Sequence, residues 1–272
     1  MTEPNSGSRE LRIAERLAGR FASLPQVEAV ALAGSRTSEI ADGDSDIDLY
    51  VYVTEDIPLE TRAEIAGGAA NAEIGNATWE PGDEWVDSET GTRIDVMYRH
   101  VRWMEEQINR VLLRHESSAG YSTCFWYNVL FSRALFDRSG CFGALHRRAA
   151  VPYPAELKRA IVAKNYRLLR STQSSYLRQI ELAVKRNDPV SMNHRVAALL
   201  ASYFDVLFAV NEVPHPGEKR LLQHAAQCRH VPAGMEQQVR ATVEAVGVGG
   251  LVARVNELVD GLDALLTTLQ RG

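Results

Sequence analysis

The pattern of apolar residues changes near residue 100, and this change constrains the fold more than any other feature of the sequence. Before that point, short runs rich in β-branched and aromatic residues predict strands at Val27–Ala33, Ile47–Val53 and Thr92–Tyr98. After it, apolar residues recur at helical spacing and prolines fall between the segments. The sequence therefore predicts an α+β N-terminal domain with a short mixed sheet, followed by an all-helical C-terminal bundle.

A chain of 272 residues is usually large enough for two domains. We predict a disordered tail at 1–8, an α+β domain at 9–100, bridging helices at 101–150 and a helical domain at 151–272. Residues 79–85 are rich in turn formers and are expected to form a rigid turn. The predicted helices are 9–24, 58–70, 101–115, 121–134, 155–186, 190–210, 218–229 and 234–270, the last broken near its glycines.

Composition excludes several classes of protein. The net charge of -5 disfavours nucleic acid as a bulk electrostatic ligand, although it does not exclude a small nucleotide held by a metal ion. Three widely spaced cysteines offer neither a disulfide framework nor a zinc site. No apolar run approaches the length of a membrane span, and the first residues lack an apolar leader, so we expect no membrane partner and a cytoplasmic location.

Two aspartates, Asp46 and Asp48, stand at the mouth of the second predicted strand. Because side-chain direction repeats every two residues along a strand, both carboxylates are expected on one face. Two carboxylates side by side repel each other, and a bound cation removes that repulsion. Oxygen ligands at this spacing suit Mg²⁺, which prefers a few carboxylates together with waters and substrate phosphates.

Asp95 lies between Ile94 and Val96 in the third predicted strand, where a charge is unfavourable unless it faces a site or a partner. Together with Asp46 and Asp48, it would form a base for two metal ions. Upstream, the pair at Gly34 and Ser35 follows the first strand. Glycine permits close approach of backbone N–H groups to phosphate oxygens, and the serine hydroxyl adds a donor.

At Gly34, Ser35, Asp46, Asp48 and Asp95 the chain resembles the DNA polymerase beta-like nucleotidyltransferase superfamily. Its length and layout are similar to the small-substrate branch, which includes aminoglycoside and lincosamide nucleotidyltransferases. The resemblance implies that residues 9–100 are the nucleotidyltransferase domain. It also implies Mg²⁺, an NTP donor (ATP by family habit), transfer of a nucleoside monophosphate to a hydroxyl of a small molecule, and release of pyrophosphate. The acceptor is expected in the cleft between the domains.

Two further residues are candidates by this resemblance. A glutamate acts as general base in related antibiotic-modifying enzymes, and Glu80 is preferred over Glu84 for that role here. A lysine on the helical domain reaches the triphosphate in some relatives, and Lys219, with Arg220 as its substitute, matches it. Each candidate also has a purely structural interpretation. The two glutamates would belong to a rigid turn held by two tryptophans, and the lysine would be an ordinary solvated surface residue.

The sequence leaves other functions open. A tRNA or protein acceptor is the second choice within this superfamily, and a non-catalytic nucleotide-binding module is the rival from another class. Asp46 and Asp48 by themselves are also compatible with a solvated acidic turn. The sequence does not determine the oligomeric state or the acceptor.

Overall fold

The structure, a computed structural model, describes residues 6–33, 46–69, 71–77 and 80–271. The chain forms two compact units. Unit 1 comprises Met1–Asn109 and Asn128–Val151, and unit 2 comprises Arg110–Tyr127 and Pro152–Gly272. Unit 1 contains a mixed sheet with helices and unit 2 is helical, so the predicted fold class is confirmed.

Unit 1 is built on a six-stranded sheet in the order β3-β4-β5-β2-β1-β6. β2 and β5 are parallel, and every other neighbouring pair is antiparallel. The strands are β1 (Val27–Ala33), β2 (Ile47–Val53), β3 (Glu73–Asn76), β4 (Gly82–Val86), β5 (Arg93–His100) and β6 (Arg133–Asp137).

Five helices belong wholly or partly to this unit, and two of them, α3 and α4, are divided between the two units. They are α1 (Ser6–Ala22), α2 (Leu59–Ile65), α3 (Val101–Leu112), α4 (Cys124–Phe131) and α5 (Cys141–Ala149).

The core of unit 1 lies on one face of the sheet. Val30, Leu49 and Val96 are completely buried there, in one cluster with Leu17 and Phe21 of α1. Burial of each such side chain contributes roughly 1.5–3 kcal/mol to folding. Because side chains alternate along a strand, the residues between these apolar positions point to the opposite face.

The two ends of the opposite face differ. There Phe142 of α5 packs on Tyr52 of β2, with ring centroids 5.2 Å apart. At the other end of β2, the same face carries Asp48. A helix thus covers one end of this face, and the other end carries an acidic side chain.

Unit 2 is organised around the longest helix, α8, whose C-terminal half is almost entirely buried. Asp188 caps this helix by accepting from the Ser191 N–H, and Pro189 occupies its first turn, where no N–H is needed. The helices of this unit are α6 (Ala155–Arg170), α7 (Tyr176–Lys185), α8 (Pro189–Val210), α9 (Leu221–Ala226), α10 (Met235–Glu244) and α11 (Leu251–Arg271).

Several elements differ from the expectation. β3 lies beyond the helix expected at 58–70, where no element was predicted, and β4 overlaps the turn expected at 79–85. β6 falls in the segment 101–150, which was expected to hold bridging helices. β3 escapes notice because it is only four residues long and polar. β6 follows directly on the apolar helix α4, which ends where the Ser132 hydroxyl donates to the Asn128 carbonyl. In the C-terminal part, the glycine-rich break is confirmed, since Gly247, Gly249 and Gly250 adopt positive φ between α10 and α11.

Among the helices that the structure describes, none combines the length and the apolar character required to cross a bilayer.

Candidate active site

The register between β2 and β5 brings two of the predicted carboxylates together. Asp48 and Asp95 are direct partners on these parallel strands. Neighbouring strands lie about 4.8 Å apart, and paired residues point to the same face. Two aspartates that are distant in sequence therefore stand side by side on the open face of the sheet.

These two aspartates belong to a row of acidic residues that crosses four strands, called the acidic row below: Asp48, Asp95, Glu84 and Glu73. Glu84 of β4 is the direct partner of Asp95, and Glu73 of β3 is the direct partner of Glu84. On the other side, Asp48 faces Ala33, the last residue of β1. Like charges in directly opposed positions repel each other, so this row of carboxylates is a candidate binding site for a cation.

Asp46 is the residue directly before β2. Its side chain is 40% exposed, and the Arg93 Nε atom is 3.7 Å from its Oδ1 atom. This contact follows from the register, because the pairing of Ile47 with Ile94 places the preceding residues next to each other. Asp46 is thus near the acidic row and close to a cation.

A cavity of about 300 Å³ opens beside the row. This volume is at the lower end of the range for small-molecule pockets. Among the described residues, those that line it are Asp46, Asn71, Glu73, Glu84, Trp85, Val86, Arg93, Ile94 and Asp95. The Asn76 amide donates to Glu84 Oε1 at 3.3 Å and so helps to orient that carboxylate.

The donor chemistry of the row fits Mg²⁺. Asp48 and Asp95 supply hard oxygen ligands from adjacent strand positions. In the described parts of the chain, no three acidic, histidine or cysteine side chains are gathered around one point. Mg²⁺ does not require such a cage, because it is usually held by one or two carboxylates together with waters and substrate phosphates.

Glu80 has a different environment from the one expected of a general base. Both of its carboxylate oxygens accept from Arg99, at 2.8 and 2.9 Å. The Arg99 side chain is only 2% exposed and lies over the Tyr50 ring, 3.6 Å from its centroid. Glu80 is not among the residues that line the cavity. Its contacts tie the chain just before β4 to β5.

A second ion pair holds β4 from the core side. Asp83 is 1% exposed and accepts from Arg62 of α2, the Tyr98 hydroxyl and the Gly75 N–H. The distances to the Arg62 Nε atom and to the tyrosine oxygen are 2.9 and 2.6 Å. Asp83 therefore joins α2, β3, β4 and β5, and its neighbour Glu84 points to the opposite, open face.

The structure describes only some of the predicted site residues. Gly34 and Ser35 lie outside the described residues, directly after Ala33. Lys219 is exposed in unit 2, in the segment before α9, and its role at a triphosphate stays a prediction. Glu73 and Arg93 were not predicted. A signal for Glu84 was present, because the buried Trp85 beside it marks a strand that alternates between core and open face.

No protein-family model matches this sequence, and no curated protein does. Among solved structures, the chain is similar to a nucleotidyltransferase-like protein from Exiguobacterium sibiricum 255-15, with 13% identity and a TM-score of 0.43 over 95% of this chain and 75% of that one. It is also similar to the Thermotoga maritima CCA-adding enzyme complexed with tRNA, with 11% identity and a TM-score of 0.33 over 96% and 83% of the two chains. Similarity at this level does not assign a function to the chain.

Proposed function

We propose that this protein is a Mg²⁺-dependent nucleotidyltransferase that moves a nucleoside monophosphate from an NTP, with ATP as the favoured donor, to a hydroxyl of a small molecule. The observation that carries the proposal is the pairing of Asp48 with Asp95 on adjacent parallel strands, with Asp46 one step away. Mg²⁺ at these carboxylates would supply charge neutralisation for the phosphates and a lowered pKa of the attacking hydroxyl.

The order of residues across the sheet suggests where each substrate lies. Gly34 and Ser35 follow β1, whose last residue faces Asp48, so the triphosphate belongs at the β1–β2 side of the row. The cavity lies at the β4–β5 side, beside Glu84 and Asp95, and we assign the acceptor to it in place of the interdomain cleft that the resemblance implies.

The proposed reaction is a single displacement. The acceptor oxygen forms a bond to the α-phosphorus while the bond from that phosphorus to the bridging oxygen of the leaving pyrophosphate breaks. Glu84, a cavity residue, accepts the hydroxyl proton in this scheme. Glu80 instead serves to position β4, because both of its oxygens are engaged by Arg99.

The charges of the cavity favour a cationic acceptor. Of the described residues lining it, Asp46, Glu73, Glu84 and Asp95 are acidic and Arg93 is basic. Hydroxylated amines such as aminoglycosides combine the required positive charge with the required hydroxyl. Binding of such a compound would also relieve the repulsion between the opposed glutamates of β3 and β4.

The test is a transfer assay on the full chain with labelled ATP, GTP, CTP and UTP against aminoglycosides, lincosamides and tRNA. We expect label on an amine-bearing small molecule together with pyrophosphate release. Asp48→Asn should reduce kcat at least tenfold, equivalent to about 1.4 kcal/mol. Asp56→Asn, which changes an aspartate whose side chain is 95% exposed, is the matched control and should retain activity.

Two results would contradict the proposed chemistry, and a third would change the acceptor. Full activity of Asp48→Asn would remove the metal assignment. Binding of NTP without pyrophosphate release from any acceptor would favour the non-catalytic module instead. Label on tRNA alone would retain the chemistry and replace the proposed acceptor.

A further inference from the structure

The cavity contains a cation whose role the proposed reaction does not explain. Among the described residues that line the cavity, Arg93 is the one basic side chain and faces four acidic ones. Arg93 begins β5, two residues before Asp95, and therefore points to the same open face. Its Nε atom lies 3.7 Å from Asp46 Oδ1.

Both partners of this ion pair are accessible to solvent. The Arg93 side chain is 69% exposed and that of Asp46 is 40% exposed. Exposed pairs of this kind change an equilibrium constant only a few-fold. A divalent cation at the same carboxylate carries twice the charge of a guanidinium, so it would compete with Arg93 for Asp46.

We infer that Arg93 is a positioning residue that takes the place of the metal ion in the nucleotide-free protein. It pairs with Asp46 in the nucleotide-free protein and yields that carboxylate when Mg²⁺ binds. The inference rests on the proposed function for the assignment of Asp46 as a metal ligand. It adds that metal affinity is set by competition with a side chain of the same sheet.

The competition has a definite sign. Loss of the Arg93 charge removes both the pair that must be broken and the repulsion between guanidinium and metal ion. Metal binding in the absence of nucleotide should therefore become tighter. A purely structural role for Arg93 predicts weaker or unchanged metal binding.

The experiment measures Mn²⁺ binding to the nucleotide-free full chain by electron paramagnetic resonance, with Mg²⁺ as competitor. From the size of an exposed ion pair and the rule that about 1.4 kcal/mol equals a factor of ten, Arg93→Gln should bind Mn²⁺ roughly two- to fivefold more tightly. Arg93→Lys keeps the charge and should stay close to the wild type. Arg102→Gln, an exposed arginine of α3, is the control for net charge and should not change the affinity.

Salt provides a second readout. At about 1 M ionic strength the Debye length is about 3 Å, so the difference between wild type and Arg93→Gln should shrink. A difference that persists unchanged would indicate a rearranged site rather than a competing charge, and would overturn the inference.

The two proposals fail in different ways. Equal or weaker Mn²⁺ binding by Arg93→Gln, with binding abolished by Asp48→Asn, would overturn the role of Arg93 and leave the metal site intact. If Asp48→Asn binds Mn²⁺ as well as the wild type does, the metal site itself is wrong, and both proposals fall.

Discussion

At the scale of single residues, two glutamates four positions apart face different surroundings. Glu80 is held by a buried arginine, whereas Glu84 lines the cavity next to Asp95. Because β4 has its own ion pair on the core side, through Asp83, the position of Glu84 does not depend on Glu80 alone. The two side chains can therefore be separated by experiment.

Glu84→Gln should lower kcat by about 10²-fold or more, since a positioned general base typically contributes 10²–10⁴-fold, while thermal stability stays the same or rises slightly. Glu80→Gln should instead lower the free energy of unfolding by about 1.5–3 kcal/mol, the value of hydrogen bonds to a charged group, because Arg99 loses its counter-charge. Steady-state kinetics and chemical denaturation of both variants provide the check. The assignment is reversed if Glu80→Gln loses turnover without losing stability.

Asp205 of α8 presents a second residue-scale case, in unit 2. It is 1% exposed, and it accepts from the Ser122 hydroxyl at 2.6 Å and from the Asn165 amide at 3.0 Å. Burial raises the pKa of Asp205 to about 6, against the opposing effects of the Ser122 hydrogen bonds and the Lys164 charge. The carboxylate anchors the loop before α4 to α8.

The stability of unit 2 should depend on this group. Because the pKa is higher in the folded than in the unfolded state, the contribution of Asp205 is fully present below pH 4 and is lost as pH rises through about 6. The difference in unfolding free energy between wild type and Asp205→Asn should change by about 2 kcal/mol between pH 4 and 7, at 1.36 kcal/mol per pKa unit and with part of the titration below pH 4. Denaturation curves across this range test it, and a constant difference would show that Asp205 does not titrate there.

At the scale of elements, the position of β4 decides whether Glu84 stands beside Asp95. β4 is five residues long. Arg62 of α2 bonds Asp83 within the strand, and Arg99 of β5 bonds Glu80 just before it. The apolar contribution of such a short strand is small, with Trp85 as its buried anchor. Ion pairs thus fix an element that hydrophobic packing would hold only weakly.

Asp83→Asn should destabilise unit 1 by about 3–5 kcal/mol, the range for removal of one partner from a buried ion pair. The guanidinium of Arg62 would remain buried without its counter-charge. Glu60→Gln, on the exposed side of α2, is the control and should change stability by less than about 0.5 kcal/mol. Urea denaturation followed by tryptophan fluorescence measures both. Similar midpoints for the two variants would show that packing alone holds β4.

At the scale of the whole molecule, the chain passes repeatedly between the two units. Unit 1 takes β6 and α5 from residues beyond the first segment of unit 2. In the sheet, β6 pairs with β1 through residues such as Val30 and Phe136. The sheet that carries the acidic row is therefore incomplete if the chain ends near residue 100.

A fragment of residues 1–112 should fail to unfold cooperatively and should aggregate, because β1 would become an exposed apolar edge strand. A fragment of residues 1–151 restores β6 and α5 and should show a cooperative thermal transition by circular dichroism. If the shorter fragment unfolds as cooperatively as the longer one, β6 is dispensable and the sheet is stable with five strands.

The local pattern of the sequence was sufficient for part of this organisation. The runs around Val30, Leu49 and Val96 predicted β1, β2 and β5. These predictions succeed because strand alternation and helical periodicity depend only on residues close together in the chain. The fold class followed from the same local patterns.

The neighbours of each carboxylate were decided by tertiary structure. The pairing of Asp48 with Asp95, of Asp95 with Glu84 and of Asp46 with Arg93 depends on strand order and register, which join residues about 10 to 50 positions apart. The engagement of Glu80 by Arg99 has the same origin. Sequence alone determined which residues bear charge and which face of its own strand each one occupies. Only the assembled sheet determined which charges meet, because cross-strand contacts arise from the packing of the shared core and not from any local preference.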